Sequence, residues 1–213
     1  LNILDSKTTL TQQMLRAAFA ATSGATDLLG TDAGYSRAAV LVVVYGNPPT
    51  IIMTLKPPYL RVHAGEISFP GGSVESSDTD MLHTALRETR EEIGLHLGRD
   101  VVVGSLNAVT TQSTEFVIMP FVAIVDDIPD LRPNREVERI LRIPLAELLD
   151  TMAADTDPQH NAVMGMYTFR HENNIVWGAT ARILKQIRDM LSAPRRAGPV
   201  IYGDGGPKGH LED

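Results

Sequence analysis

From Ser36 to Leu55 the chain reads SRAAVLVVVYGNPPTIIMTL, two β-branched apolar runs separated by a glycine and two prolines that suit only a turn. A β-hairpin is expected there. Upstream, within Lys7 to Thr22, Leu10, Met14, Leu15, Ala18 and Phe19 recur at helical spacing after hydroxyl residues suited to capping, which predicts an N-terminal helix. Residues 57 to 79 are rich in Pro, Gly and Ser and follow neither period. A loop of that length inside a domain is usually functional. From Asp80 to Ile93 the period returns: Leu82, Ala85, Leu86, Thr89 and Ile93 fall at steps of three and four, a buried helical stripe stopped by Gly94.

Strands are expected near Val101 to Val109, Phe116 to Val125 and Glu136 to Ile143, with Pro144 opening a short helix. Ala162 to Arg170 and Asn174 to Trp177 read as a further strand pair, and Ala179 to Leu191 as an amphipathic helix ending before Pro194. Residues 194–213 form a Pro/Gly-rich tail expected to be mobile or used at an interface. No repeat or linker divides the rest, so one mixed α/β domain over residues 1–193 is the economical reading.

Composition narrows the classes. The 213 residues are 43% hydrophobic and carry 19 basic against 26 acidic side chains, a formal charge of −7, which excludes a nucleic-acid-coating protein. There is no cysteine, so disulfides, thiolate metal sites and cysteine nucleophiles are excluded together. Any metal must be held by oxygen or imidazole. The longest apolar run, Ala38 to Tyr45, has strand length and falls short of the roughly 20 residues that span a bilayer. A cytoplasmic protein with no membrane and no nucleic-acid partner is expected.

Away from the buried stripe of the 80–93 helix, Glu88, Glu91 and Glu92 lie at i, i+3 and i+4, about 5 to 6 Å apart at Cβ. Two of them stand in the last turn, where the helix dipole disfavours negative charge. Arg87 and Arg90 could offset this as an ordinary solvated face, with Arg87 paired to Glu91. Alternatively, the carboxylates suit Mg²⁺ or Mn²⁺, hard ions that take oxygen ligands.

The segment GGSVESSDTDMLHTALRETREEIGL resembles the Nudix box: a glycine, five residues, a glutamate, seven residues, Arg-Glu, an apolar residue, any residue, Glu-Glu, any residue, Gly and an apolar residue. Arg87, Glu88, Glu91, Glu92, Gly94 and Leu95 match its second half without a gap. Upstream, the count puts Thr79 at the glutamate position and Ser73 at the glycine position; Asp78 and Gly72 match when one extra residue is allowed. The preceding stretch, IMTLKPPYLRVHAGEISFPGG, resembles the motif of coenzyme A pyrophosphatases within that family, through Arg61, Gly65, Phe69, Pro70, Gly71 and Gly72. Lys56 stands there where arginine is usual. PNREVERILRIPLAELL and IVWGATARIL resemble later segments of the same group.

The resemblance implies a mixed sheet sandwiched between α-helices and divalent-metal-dependent hydrolysis of a diphosphate, that of coenzyme A or its thioesters. It makes Glu88, Glu92 and Glu91 metal ligands, with the Gly72 carbonyl as a further contributor. Arg87 would orient these carboxylates. Lys56 and Arg61 become candidates for the nucleotide's phosphates, while Gly65 and Phe69 shape the substrate loop. The general base is open between Glu115 and Glu136, and Glu136 matches the family segment better. His63 reads as polar surface and Trp177, the only tryptophan, as core packing rather than ligand stacking. Rivals are a related enzyme acting on ADP-ribose, dinucleotide polyphosphates or an oxidised nucleotide, and a nucleotide-sensing module without turnover. A homodimer is compatible with the sequence, which does not decide it.

Overall fold

The computed structural model describes residues 9–20, 34–59, 64–111, 116–157, 160 and 166–192. Helix α1 (Gln12–Ala20) buries Leu15 and Phe19, the two apolar residues one turn apart. The hairpin follows as β1 (Ser36–Tyr45) and β2 (Thr50–Leu55), paired antiparallel through Val44 opposite Ile51. The long loop is not wholly irregular: it contains the short strands β3 (Ile67–Ser68) and β4 (Gly71–Ser73), which pair with β2 and β1. Helix α2 (Met81–Ile93) comes next.

The expected strand from Val101 to Val109 is broken. A 3₁₀ turn at Arg99–Val101 leads into β5 (Val102–Ser105), and β6 (Val109–Thr110) is separate. Both pair with β7 (Phe116–Val125), but β5 shifts register between Val102 and Gly104, so one continuous strand cannot follow β7. β8 (Arg139–Pro144) pairs with β2 and begins three residues later than the pattern suggested. Glu136 therefore lies in a turn ahead of the strand and is exposed. Helix α3 (Leu145–Asp150), the small strands β9 (Ala153–Ala154), β10 (Tyr167–His171) and β11 (Asn174–Val176), and helix α4 (Gly178–Ser192) complete the described chain. The first part of the strand expected from Ala162, and the tail from residue 194, lie outside the described residues.

The eight-stranded sheet is mixed, since β1 and β7 run parallel over ten paired positions while their other neighbours are antiparallel. Alternation along β1 explains why its apolar run has no polar face. Leu41 and Val43 pack with Ala85 and Ile93 of α2, whereas Val42 and Val44 pack on the opposite side with residues of α1, α3 and α4. A strand covered on both faces needs apolar residues at successive positions. The result is helices on both sides of a sheet. No helix among the described residues is long and apolar enough to cross a membrane.

Leu41 has no exposed surface and lies in the layer between sheet and α2. Leu41→Ala is expected to lower unfolding stability by about 2–5 kcal/mol through a cavity that neighbours on both strands cannot close, as read by urea denaturation.

Candidate active site

Helix α2 is defined at both ends by local chemistry. The Asp80 side chain accepts from the His83 N–H at 2.8 Å, and Gly94, at φ 72°, adopts the left-handed C-terminal cap. Between them the burial differs from the expected stripe: Leu82 and Leu86 are only half-buried, while Thr84, Arg87 and Glu92 are buried. The helix packs on β1 with one side and on β4 with another, so part of its polar face is also covered.

That second contact depends on two glycines. A Cβ on Gly71 would lie 2.4 Å from the Ala39 carbonyl oxygen, and one on Gly72 would lie 2.4 Å from Glu88 Oε1. Gly71 also has φ 159°, at the edge of the region that favours glycine, and its N–H donates to Glu92 Oε2 at 3.3 Å. β4 thus delivers backbone directly onto the glutamates.

Arg87 organises the other side. Its Nε and Nη2 donate to the two oxygens of Asp78, each at 3.0 Å, in a bidentate pair. Nη2 also reaches the Ser73 carbonyl at 3.1 Å, and Nη1 donates to Glu88 at 2.9 Å and Glu91 at 3.3 Å. The Asp78 carboxylate is wholly inaccessible and accepts further bonds from the Thr84 hydroxyl and the Glu75 N–H. Arg87 holds Asp78 well below the usual carboxylate range, and Asp78 in turn pushes the guanidinium up. Thr79, at the position reached by the ungapped count, is exposed. Asp78 keeps the box spacing from Gly72, and the extra residue falls after it, where the bend at residues 79–80 leads into α2; the inward carboxylate is Asp78.

Glu92 is 3% exposed and pairs with Lys56 Nζ at 2.5 Å. The ammonium of Lys56, the candidate for substrate phosphates, meets one of the three glutamates. Burial pushes the Glu92 carboxyl up, with Lys56 and the Gly71 N–H opposing, and burial likewise raises Glu88 against the pull of Arg87. Glu91 is about half exposed. Because Glu88 and Glu91 turn to Arg87 and Glu92 to Lys56, no three acidic or imidazole side chains among the described residues stand grouped around one point. The donor set nevertheless fits a hard divalent cation. Burial raises both the buried Glu92 and the half-buried Glu88, which favours a cation beside them, and Gly72, with no Cβ, brings its backbone up against the Glu88 carboxylate.

Of the other expected residues, Gly65 has φ 72° and closes the loop after β2 through its N–H on the Lys56 carbonyl, while Phe69 is buried. Glu136 meets none of the three glutamates, although the Asn134 N–H bonds the Glu92 carbonyl and ties its turn to the end of α2. Arg61, His63 and Glu115 lie outside the described residues.

Beside the glutamates opens a cavity of about 570 Å³, lined by Lys56, Gly71 and Gly72 and also by His160, Trp177 and Arg182. Trp177 is therefore not simply core: it stacks on His160 with ring centroids 4.3 Å apart and planes 3° from parallel. His160 and Arg182 were not singled out from sequence. His160 follows a stretch with no period, and only the WGAT segment gave a signal in this part of the chain.

Residues 35–164 match the family model of the NUDIX domain. The chain is 33% identical over 160 residues to the uncharacterized Nudix hydrolase NudL of Yersinia pestis (strain Pestoides F), covering 73% of this chain and 80% of that protein. The chain belongs to the Nudix hydrolase family. Members of the family act on nucleoside diphosphate derivatives, generally with divalent ions such as Mg²⁺ or Mn²⁺. The Nudix fold is likewise seen in a MutT/nudix family protein from Enterococcus faecalis, with TM-score 0.53, 11% identity and coverage of 84% of this chain and 72% of that one. The NUDIX domain of Shewanella oneidensis NrtR, crystallised with ADP ribose, aligns with TM-score 0.53, 14% identity and coverage of 78% and 93%.

The Asp78 pair of this Nudix domain has a definite pH signature. A carboxyl whose pKa is depressed on folding adds stability above its ordinary value near 3.8, and that stability is lost as pH falls toward the folded value. Asp78→Asn is expected to cost about 1–3 kcal/mol at pH 7, with the gap to wild type narrowing below about pH 4, as read by urea denaturation across pH.

Proposed function

We propose that the protein hydrolyses the diphosphate of coenzyme A or its thioesters, releasing adenosine 3′,5′-bisphosphate and 4′-phosphopantetheine or its acyl form. The observation carrying this reading is the placement of the coenzyme A-like loop. Gly71 and Gly72 lie against Glu92 and Glu88, and Phe69 beside them lines the adjoining cavity. The substrate-type motif and the carboxylate helix thus meet in one place.

Glu88, Glu92 and Glu91 are the proposed ligands of Mg²⁺ or Mn²⁺, with the Gly72 backbone alongside. When bound, the ion supplies Lewis-acid polarisation of the phosphate and a more acidic water. The chain's own part is positional. Arg87 fixes Glu88 and Glu91 from the loop side, and its bonds to Asp78 and Ser73 keep it from swinging toward substrate. Lys56 brings the positive charge that a protein of charge −7 must place next to a diphosphate. We assign the general base to Glu136, whose turn is pinned to the end of α2 by the Asn134 bond to the Glu92 carbonyl.

ADP-ribose is the second reading, favoured by the NrtR domain that shares the fold and was crystallised with that ligand. Product analysis separates the two. Incubation with coenzyme A, acetyl-coenzyme A, ADP-ribose and NADH in Mg²⁺ or Mn²⁺ is expected to give phosphopantetheine from the coenzyme A compounds at the highest kcat/KM. EDTA is expected to stop turnover, and Glu92→Gln to lower kcat at least about a hundredfold while nucleotide binding persists. ADP-ribose turned over well ahead of coenzyme A would reverse the assignment.

A further inference from the structure

The cavity has a wall that the hydrolytic residues do not use. His160 and Trp177 lie parallel on it, and the Asp155 carboxylate, 2% exposed, accepts from His160 Nδ1 with both oxygens at 3.1 and 3.0 Å. A buried acid therefore holds the imidazole plane. Arg182 lines the same wall, its guanidinium steadied by Nη1 on the Thr110 carbonyl at 2.6 Å.

We propose that the His160–Trp177 pair is the docking platform for the purine base of the nucleotide substrate, with Arg182 beside it for a nucleotide phosphate. This deepens the hydrolase reading and rests on it. Two polar aromatic rings held flat against each other at the edge of a cavity, rather than hidden in the core, offer what a base requires. A purine extends such a stack at little entropic loss, whereas a flexible pantetheine arm has no use for parallel planes. The cavity volume of about 570 Å³ exceeds what a base alone fills, and Gly71 and Gly72 line it too, so a ligand seated on this wall extends toward the glutamates. Asp155 acts only through His160 and is a positioning residue.

Trp177 is the only tryptophan in the chain, which makes its fluorescence a direct report on this wall. In EDTA, titration of the full chain with adenosine 3′,5′-bisphosphate is expected to quench that emission saturably, and 4′-phosphopantetheine to leave it unchanged. His160→Ala is expected to raise KM about tenfold with kcat within about twofold, and His160→Phe to restore KM by keeping the stack. Asp155→Asn is expected to raise KM less than His160→Ala, with kcat unchanged. Quenching by phosphopantetheine and not by the bisphosphate would assign the wall to the other arm and overturn the proposal. A fall in kcat at constant KM in His160→Ala would overturn it as well. The two readings fail separately: quenching by the bisphosphate without coenzyme A hydrolysis removes the coenzyme A assignment alone, and hydrolysis without quenching removes the platform alone.

Discussion

The ion pair between Asp78 and Arg87 is the contact on which the rest of the site depends. A carboxylate with no exposure is tolerable only when its oxygens are fully bonded, and here a bidentate guanidinium, a hydroxyl and a backbone N–H share them. The same guanidinium continues to the Ser73 carbonyl, Glu88 and Glu91. One side chain thereby joins the Ser73–Asp78 stretch to the helix and relieves negative charge near that helix's C-terminal end, where the dipole opposes it. Loss of Asp78 would leave Arg87 buried without its bidentate partner and with mainly the Ser73 carbonyl to hold the loop, weakening the tether before any glutamate was touched.

The second constraint is steric. Arg87 can bridge loop and helix only because β4 approaches α2 more closely than side chains normally allow. Gly72 touches the Glu88 carboxylate, and Gly71 fits against the backbone of β1 while offering its N–H to Glu92. Close approach also buries Glu88 and Glu92, which raises their pKa values and makes their ionised forms costly without a cation. Packing and electrostatics are two aspects of one geometry. The contact that shields Glu92, and in part Glu88, from water is the contact that makes them seek positive charge, which Lys56 and Arg87 supply in part.

Much of this was legible in local sequence rules. The caps of α2 at Asp80 and Gly94, the hairpin around GNPP and the apolar run of β1 follow from neighbours a few residues apart. The one-residue displacement from Thr79 to Asp78 was visible as two alternatives, and the bidentate pair of Arg87 with the inaccessible Asp78 carboxylate chooses between them. What sequence could not give is non-local. Lys56 meets Glu92 across 36 positions, and the break between β5 and β6 comes from a register shift imposed by β7. Leu82 and Leu86 looked like core because helical period marks an apolar face, but it does not say how much of that face a neighbouring sheet covers. Arg61 and Glu115 fall outside the described residues, so the loop's own arginine and one of the two candidate bases rest on resemblance alone.

The chain order separates the carboxylate centre from the far wall of the cavity. Among the described residues the side chains of the carboxylate centre are bonded, Lys56 apart, by residues 71 to 92, one continuous segment whose turns, caps and glycines are mutually constraining. The far wall of the cavity is drawn from Thr110, His160, Trp177 and Arg182, far along the chain and reaching that segment across the sheet and the shared cavity. Substitutions in the second group can change shape and polarity around a bound molecule without moving Asp78, Arg87 or Glu92, since additivity holds for sites that share no partners. On the proposed reading, a fold arranged in this way can keep its carboxylate centre while the distal wall varies, which is why the first carries the family's motif and the second would carry specificity.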